Sequence, residues 1–355
     1  MEGVEDSKKR KEPSVAEVAE VVPEEDITSG VEEAGTSADA VAAKRPRLED
    51  EGSNPPSAQL KFAGEDSNGA EYASEEALWR SLKRAKTPEG GQGDDTTAEG
   101  KPWYQGSEEY WAKVEPTLDG VLGGFGFLST IDIKTSRAFL SSFIPAIGST
   151  SRSSTSTSSS TSSSTSSSST DTTSPPSLAP IETTRALDCG AGIGRITRHL
   201  LLDLFDRVDL VEPDARFLDK AKQQLGPLQP LNGHRVEGFF YEGLQSFAPA
   251  KQHYDLIWIQ WVIGYLTDED FVAFLGRCRE ALRENGIIVI KDNLNSKEGF
   301  YVDKEDNSIT RSDGYLRRLF EEAGLMLVRD AVQEEFPPGM LPVRMYALRP
   351  ASTSS

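Results

Sequence analysis

Cysteine and histidine are both scarce: Cys189 and Cys278 are the only thiols in 355 residues, and His199, His234 and His253 stand far apart. So few thiols exclude a disulfide scaffold, and no Cys/His spacing suits a zinc site. The two cysteines fall on an expected strand end and an expected helix, and read as small buried residues of a reducing compartment. No run of about eighteen apolar residues occurs, so a membrane-spanning helix is not expected. The polar start Met1-Glu-Gly-Val-Glu-Asp does not read as a signal peptide. A Gly-x-Ser-x-Gly elbow and a phosphate-binding P-loop are absent too. Positive charge is in deficit, with a net charge of −19. Residues 1–100 hold 24 acids against 12 bases, which leaves only −7 for the other 255. The later part is therefore mildly acidic, which argues against direct nucleic-acid binding and suits a cationic peptide partner.

Aromatic residues are few in residues 1–100, where Glu, Ala, Ser, Gly and Pro dominate. Such a segment buries too little apolar surface to offset chain entropy, and it reads as a disordered acidic tail. Within it, Leu78, Trp79 and Leu82 stand at helical spacing, so Tyr72 to Lys86 is expected to fold at most transiently. Two compact basic clusters, Lys8-Lys9-Arg10-Lys11 and Lys44-Arg45-Pro46-Arg47, read as nuclear import signals, and location in nucleus and cytoplasm is expected. Residues 149–178 are nearly all Ser and Thr without apolar periodicity, a flexible insert. Four segments follow: tail 1–100, helical cap 101–148, insert 149–178 and an α/β domain 179–350. In the cap, Tyr110-Trp111 and Val114 predict a short helix stopped by Pro116, and Ile133 to Phe143 predicts a second.

What is present is most informative at Ala186-Leu-Asp-Cys-Gly-Ala-Gly-Ile-Gly-Arg195. An apolar run ends in an acid, passes through Gly190, Gly192 and Gly194, and becomes amphipathic: a strand, a tight turn and a helix. Glycines let backbone approach a ligand, and the helix start offers unpaired N–H groups. The dinucleotide fingerprint requires a glycine where Arg195 stands, so a nicotinamide enzyme is disfavoured. A second apolar strand, Val208 to Val211, ends at Glu212, 18 residues past Gly194, where a carboxylate accepts hydrogen bonds from ribose hydroxyls. Asp188 either meets a cofactor ammonium or caps the glycine turn. Alternating elements follow: helix 214–225, strands near 235–237, 254–259 and 287–292, helices 268–283 and 312–323, and a final pair 325–332 and 343–349. They predict a seven-stranded Rossmann-like sheet with ligands at the carboxyl ends of its strands.

The segments Leu187 to Thr197, Trp258-Ile-Gln-Trp-Val-Ile-Gly264, Gly286 to Asn293 and Thr117-Leu-Asp-Gly-Val-Leu-Gly-Gly124 resemble the protein α-N-terminal methyltransferases, a class I S-adenosylmethionine-dependent family acting on chains that begin X-Pro-Lys/Arg. The resemblance spans roughly 103–349 without the insert. It implies S-adenosylmethionine as cofactor, S-adenosylhomocysteine as product, and Gly190, Arg195, Glu212, Pro213, Asp214, Leu244, Gln245 and Gln260 as the cofactor's lining. Trp111 and Trp261 offer flat faces for a proline ring, unless they are core, and Leu122 offers a wall. Asn293 is expected to bond the leading peptide backbone. In the family, acids at the positions of Asp303 and Asp306 face the basic residue and the reactive amine, with Ser308 in the same expected loop, Val302 to Ser308.

An α-amine with a pKa near 8 is already partly neutral at pH 7, so transfer needs alignment more than a strong base. Asp306 is expected to hold the amine and accept its proton. The family commonly has histidine where this chain has Tyr265, a poor base at neutral pH, which leaves Tyr265 an orienting role. Two other readings remain: a non-catalytic cofactor-binding scaffold, motivated by Tyr265, and a small-molecule methyltransferase on the same fold.

Overall fold

In the computed structural model the residues described are 61–84, 101–144, 180–226 and 233–351. The insert 149–178, both basic clusters and tail residues 1–60 and 85–100 lie outside them. The described residues begin with a small antiparallel pair, β1 (Gly64–Asp66) and β2 (Glu71–Tyr72), followed by α1 (Glu75–Arg84), α2 (Lys101–Trp111), α3 (Leu118–Val121) and α4 (Ser129–Leu140). Then come β3 (Arg185–Cys189), α5 (Arg195–His199), β4 (Arg207–Val211), α6 (Ala215–Leu225), β5 (Arg235–Phe240), β6 (Tyr254–Gln260), α7 (Asp268–Ala281) and β7 (Leu282–Asn293). β8 (Phe300–Asp303), β9 (Ser308–Arg311), α8 (Asp313–Glu322), β10 (Leu325–Val332) and β11 (Val343–Pro350) complete the order.

The main sheet has seven strands, as expected, and their order is β10-β11-β7-β6-β3-β4-β5. β3 to β7 run parallel, and β11 joins β7 antiparallel, with Val343 opposite Asn293. Burial on both faces explains the apolar run Leu256–Ile259 within β6. Ile257 and Ile259 pack toward α7 and α8 through Phe271, Phe274, Leu316 and Phe320, while Leu256 and Trp258 belong to the cluster of α4, α5 and α6. Side-chain caps start the helices: Asp214 accepts from Arg216 N, Thr267 from Asp270 N and Ser312 from Tyr315 N.

Three expectations need correction. Residues 61–84 do not belong to a disordered tail, because Phe62 and Leu78 are buried in the same core as the main sheet. The segment 302–308 is not a free loop: β8 and β9 pair with Asp303 opposite Ser308, and β1 joins β8 in parallel, giving a second sheet ordered β2-β1-β8-β9. The first cap helix lies earlier than expected and ends at Trp111, and the next runs from Ser129. The physical reason is common to the first two. Each short strand has too few residues for a local signal and is held by a partner far away in sequence.

Candidate active site

The glycine turn leaves β3 with Gly190 N and Ala191 N donating to Val211 O at 2.9 and 3.1 Å. Gly190, Gly192 and Gly194 have φ of 66°, 53° and 79°, the left-handed region that disfavours any Cβ. Their surroundings differ. A Cβ on Gly190 would stand 2.8 Å from Val262 and one on Gly194 3.0 Å from Leu225, so these two serve packing. On Gly192 it would meet only Val121, at 3.7 Å, so that glycine is open to the cavity it lines.

That cavity, about 420 Å³, is lined by all eight residues expected around the cofactor: Gly190, Arg195, Glu212, Pro213, Asp214, Leu244, Gln245 and Gln260. Glu212 accepts from Gly192 N and Asp214 N, each at 3.0 Å, and burial pushes its carboxyl up to about 7. Asp188 caps the turn and also lines this cavity. Its Oδ2 accepts from Thr197 N at 3.1 Å and Thr197 Oγ1 at 2.6 Å, while burial raises its pKa to about 6. Arg277 of α7, missed from the sequence, staples the loop after β5 by donating to the carbonyls of Leu244, Gln245 and Phe247.

Arg195 and Gln260 line the cavity with much of their polarity already committed. Arg195 Nη1 donates to Asp132 Oδ2 at 2.6 Å, Gln260 Nε2 to Asp132 Oδ1 at 2.9 Å, and Trp258 Nε1 to Gln260 Oε1 at 2.9 Å. Lys291 Nζ lies 2.5 Å from Asp132 Oδ1 and also donates to Ser136 Oγ and Gln333 Oε1. Burial alone would raise the Asp132 carboxyl, but the charges of Lys291 and Arg195 outweigh it and hold it low. Asp132 was not singled out from the sequence: its helix face also carries Ser129 and Ser136, so nothing local marks it as a buried charge.

A second cavity of about 440 Å³ shares Trp111, Val121, Leu122, Trp261 and Tyr265 with the first, so these five form a collar between the two. Beyond the collar it is lined by Asp292, Asn293, Asp306, Ser308 and, on its apolar side, Met340 and Leu341. Tyr265 OH donates to Asp306 Oδ2 at 3.0 Å, and Ser308 N to Asp306 Oδ1 at 3.0 Å. Burial, then the Asp306 charge, pushes the Tyr265 phenol well above its ordinary value, so it acts as a donor and not as a base. Trp261 holds φ 53°, rare for a bulky residue, and among the described residues its buried indole N–H has no hydrogen-bond partner. Trp111 packs edge-on against Tyr265 and Phe217, so it is both packed and exposed to the collar.

The structure does not bring Asp303 into either cavity. Its Oδ1 accepts from Glu305 N at 2.8 Å, which closes the β8–β9 turn. Asp292 was missed. It is buried beside Asn293, accepts from Asn293 N and Ile263 N, and burial raises it to about 6. Its place at the carboxyl end of a parallel strand was the available signal.

Residues 99–160 and 171–349 match the family model described as AdoMet dependent proline di-methyltransferase. The chain belongs to this family. It is 39% identical over 291 residues to an Alpha N-terminal protein methyltransferase 1 of Arabidopsis thaliana, covering 81% of this chain and 91% of the relative. It is 43% identical over 249 residues to the human N-terminal Xaa-Pro-Lys N-methyltransferase 1, covering 70% and 96%. A solved SAM-dependent methyltransferase from Leishmania major shares 36% identity at a TM-score of 0.63, covering 84% of this chain and all of the other. The chain is therefore an AdoMet-dependent methyltransferase, and the first cavity fits that cofactor. Gly192 leaves the turn uncovered, and Glu212 presents a buried carboxylate beside it for ribose hydroxyls. Among the described residues no group of three metal-binding side chains occurs, and no helix is long and apolar enough to cross a membrane.

Proposed function

We propose that the enzyme methylates the free α-amine of protein chains beginning Xaa-Pro-Lys or Xaa-Pro-Arg. The observation that carries this reading is the collar: two cavities meet at Trp111, Leu122, Trp261 and Tyr265, with Asp306 and Asn293 on the far side from the glycine turn. A blunt chain end entering the second cavity would bring its amine to the collar. The cofactor's sulfonium supplies an electrophilic methyl group. Everything else falls to this chain's residues: Asp306, held by Tyr265 OH and Ser308 N, steadies the amine and accepts its proton, and Asn293 bonds the first peptide group. Trp111 and Trp261 flank the second-position proline, and their flat apolar faces suit a ring with no N–H to satisfy. Asp303 lies on the same hairpin as Asp306 but outside the cavity, where the long third side chain, not the backbone, would meet it. The names of the relatives support this substrate class.

Incubation with labelled S-adenosylmethionine and two peptides, Ser-Pro-Lys and its N-acetylated twin, tests the reading. Label is expected on the free peptide alone, with intact mass showing more than one methyl group. Equal labelling of both would refute it in favour of a side-chain acceptor. Nuclear as well as cytoplasmic location is proposed on sequence alone, from Lys8–Lys11 and Lys44–Arg47. Loss of nuclear signal on neutralising both clusters is the expected outcome.

A further inference from the structure

Residues 61–84 precede the stretch that matches the family model, yet they are built into the substrate side of the site. β1 runs alongside β8, Ser67 N donates to Val302 O at 2.9 Å, and Ser67 Oγ accepts from Lys304 N at 3.0 Å, at the tip of the hairpin that carries Asp306. The fit is close on both sides. A Cβ on Gly299 would stand 1.9 Å from Ala63 O, and one on Gly64 2.4 Å from the Phe300 ring. Phe62 stacks on Tyr315 with centroids 4.5 Å apart, which docks the segment on α8.

Trp79 of α1 is where this segment reaches furthest. Its Nε1 donates to Asp268 Oδ2 at 2.6 Å, and Asp268 Oδ1 in turn accepts from Arg311 Nε at 2.9 Å. Arg311 donates onward to Ile263 O and Leu266 O, the carbonyls on either side of Tyr265. The Trp79 ring also meets the Trp103 ring edge-on at 5.2 Å. Trp103 Nε1 donates to Tyr265 O at 2.7 Å, and Trp103 O accepts from Asn307 Nδ2 at 3.1 Å, next to Asp306. Both routes from one indole thus reach the turn that carries Tyr265, and the one through Trp103 also reaches Asn307, the neighbour of Asp306.

We infer that residues 61–84 are a brace for the amine-binding pair, and that Trp79 is a positioning residue for the reaction. The inference rests on the substrate reading above. Asp306 and Tyr265 sit on a hairpin turn and a single helical turn, elements with little rigidity of their own. Nothing in the brace lines either cavity, so its effect passes through where Tyr265 and Asp306 stand relative to each other. A small displacement there matters because transfer depends on alignment.

The test compares full-length wild type with Trp79→Ala, Trp79→Phe and Ser67→Ala, measuring kcat and KM for the Ser-Pro-Lys peptide and Kd for S-adenosylhomocysteine. Amide hydrogen exchange across 263–266 and 300–311 is followed in parallel. Trp79→Ala is expected to lower kcat/KM for peptide by about tenfold or more through both constants, with cofactor Kd within about twofold. Trp79→Phe keeps the ring contact and loses the Asp268 bond, so it should fall between. Ser67→Ala, at an exposed turn, should speed exchange at 300–311 without unfolding the chain. Unchanged kinetics and unchanged exchange in all three variants would overturn the brace. Should wild type itself fail to methylate the peptide, the substrate reading fails instead, and the brace stands or falls on exchange alone: faster at both segments supports it, unaltered refutes it.

Discussion

Glu212 is a carboxylate caught between two demands. Its oxygens accept from Gly192 N and Asp214 N, which favour the charged form, yet burial dominates and lifts its pKa to about 7. With the folded value above the unfolded one, its contribution to stability is full below about 4.5 and is lost as pH rises through about 7. Ribose hydroxyls donate and so select the ionised form. The expected consequence is that affinity for S-adenosylhomocysteine rises about tenfold between pH 6 and 8, with proton release on binding. Titration calorimetry in buffers of different ionisation enthalpy measures this, and Glu212→Gln should flatten the slope; a flat wild-type profile refutes the assignment. Tyr265 shows what residue identity alone leaves open. Its phenol is no base, but its hydroxyl holds Asp306, so a tyrosine at this position leaves the acid in place. The sequence alone likewise did not show that Asp188 holds Thr197, 2.6 Å away, while it lines the first cavity.

Among elements, α4 depends on one buried charge for its seat. Asp132 gathers Lys291 from β7, Arg195 from α5 and Gln260 from β6, and Lys291 is fully buried. Removing one member of such a set leaves an uncompensated charge inside the protein. Asp132→Ala should therefore cost about 3–5 kcal/mol in urea unfolding at pH 7.5, and Lys291→Met in the same chain should recover part of it. A loss under about 1 kcal/mol would show that water reaches Lys291 and that α4 is held by its apolar face alone. The apolar spacing from Ile133 to Phe143 was enough to expect a helix here. Its seat was not legible, because the three partners of Asp132 come from strands and a helix 63 to 159 residues away. The β8–β9 hairpin was read as a loop for the same reason, since the sheet it belongs to is completed by β1 and β2.

At the scale of the whole molecule, the chain leaves the cap and re-enters the sheet at one place, where Ile181 N donates to Phe143 O at 3.0 Å. Whatever lies between these residues closes a loop whose ends already touch. Replacing residues 149–178 with a Gly/Ser linker of about six residues should leave kcat/KM for the Ser-Pro-Lys peptide within about twofold and raise stability by about 1 kcal/mol, the gain from a shorter closure. A collapse in turnover would give the insert a role in substrate capture. The succession of strands and helices along the chain and the cofactor turn were written in local chemistry: apolar runs, glycines and a strand-ending acid act within about twenty residues of one another. The collar, the anchoring of Asp132 and the brace on the Asp306 hairpin had no such record. They arise where residues distant in sequence meet, and the energy of those meetings depends on burial and on partners that the folded chain alone brings together.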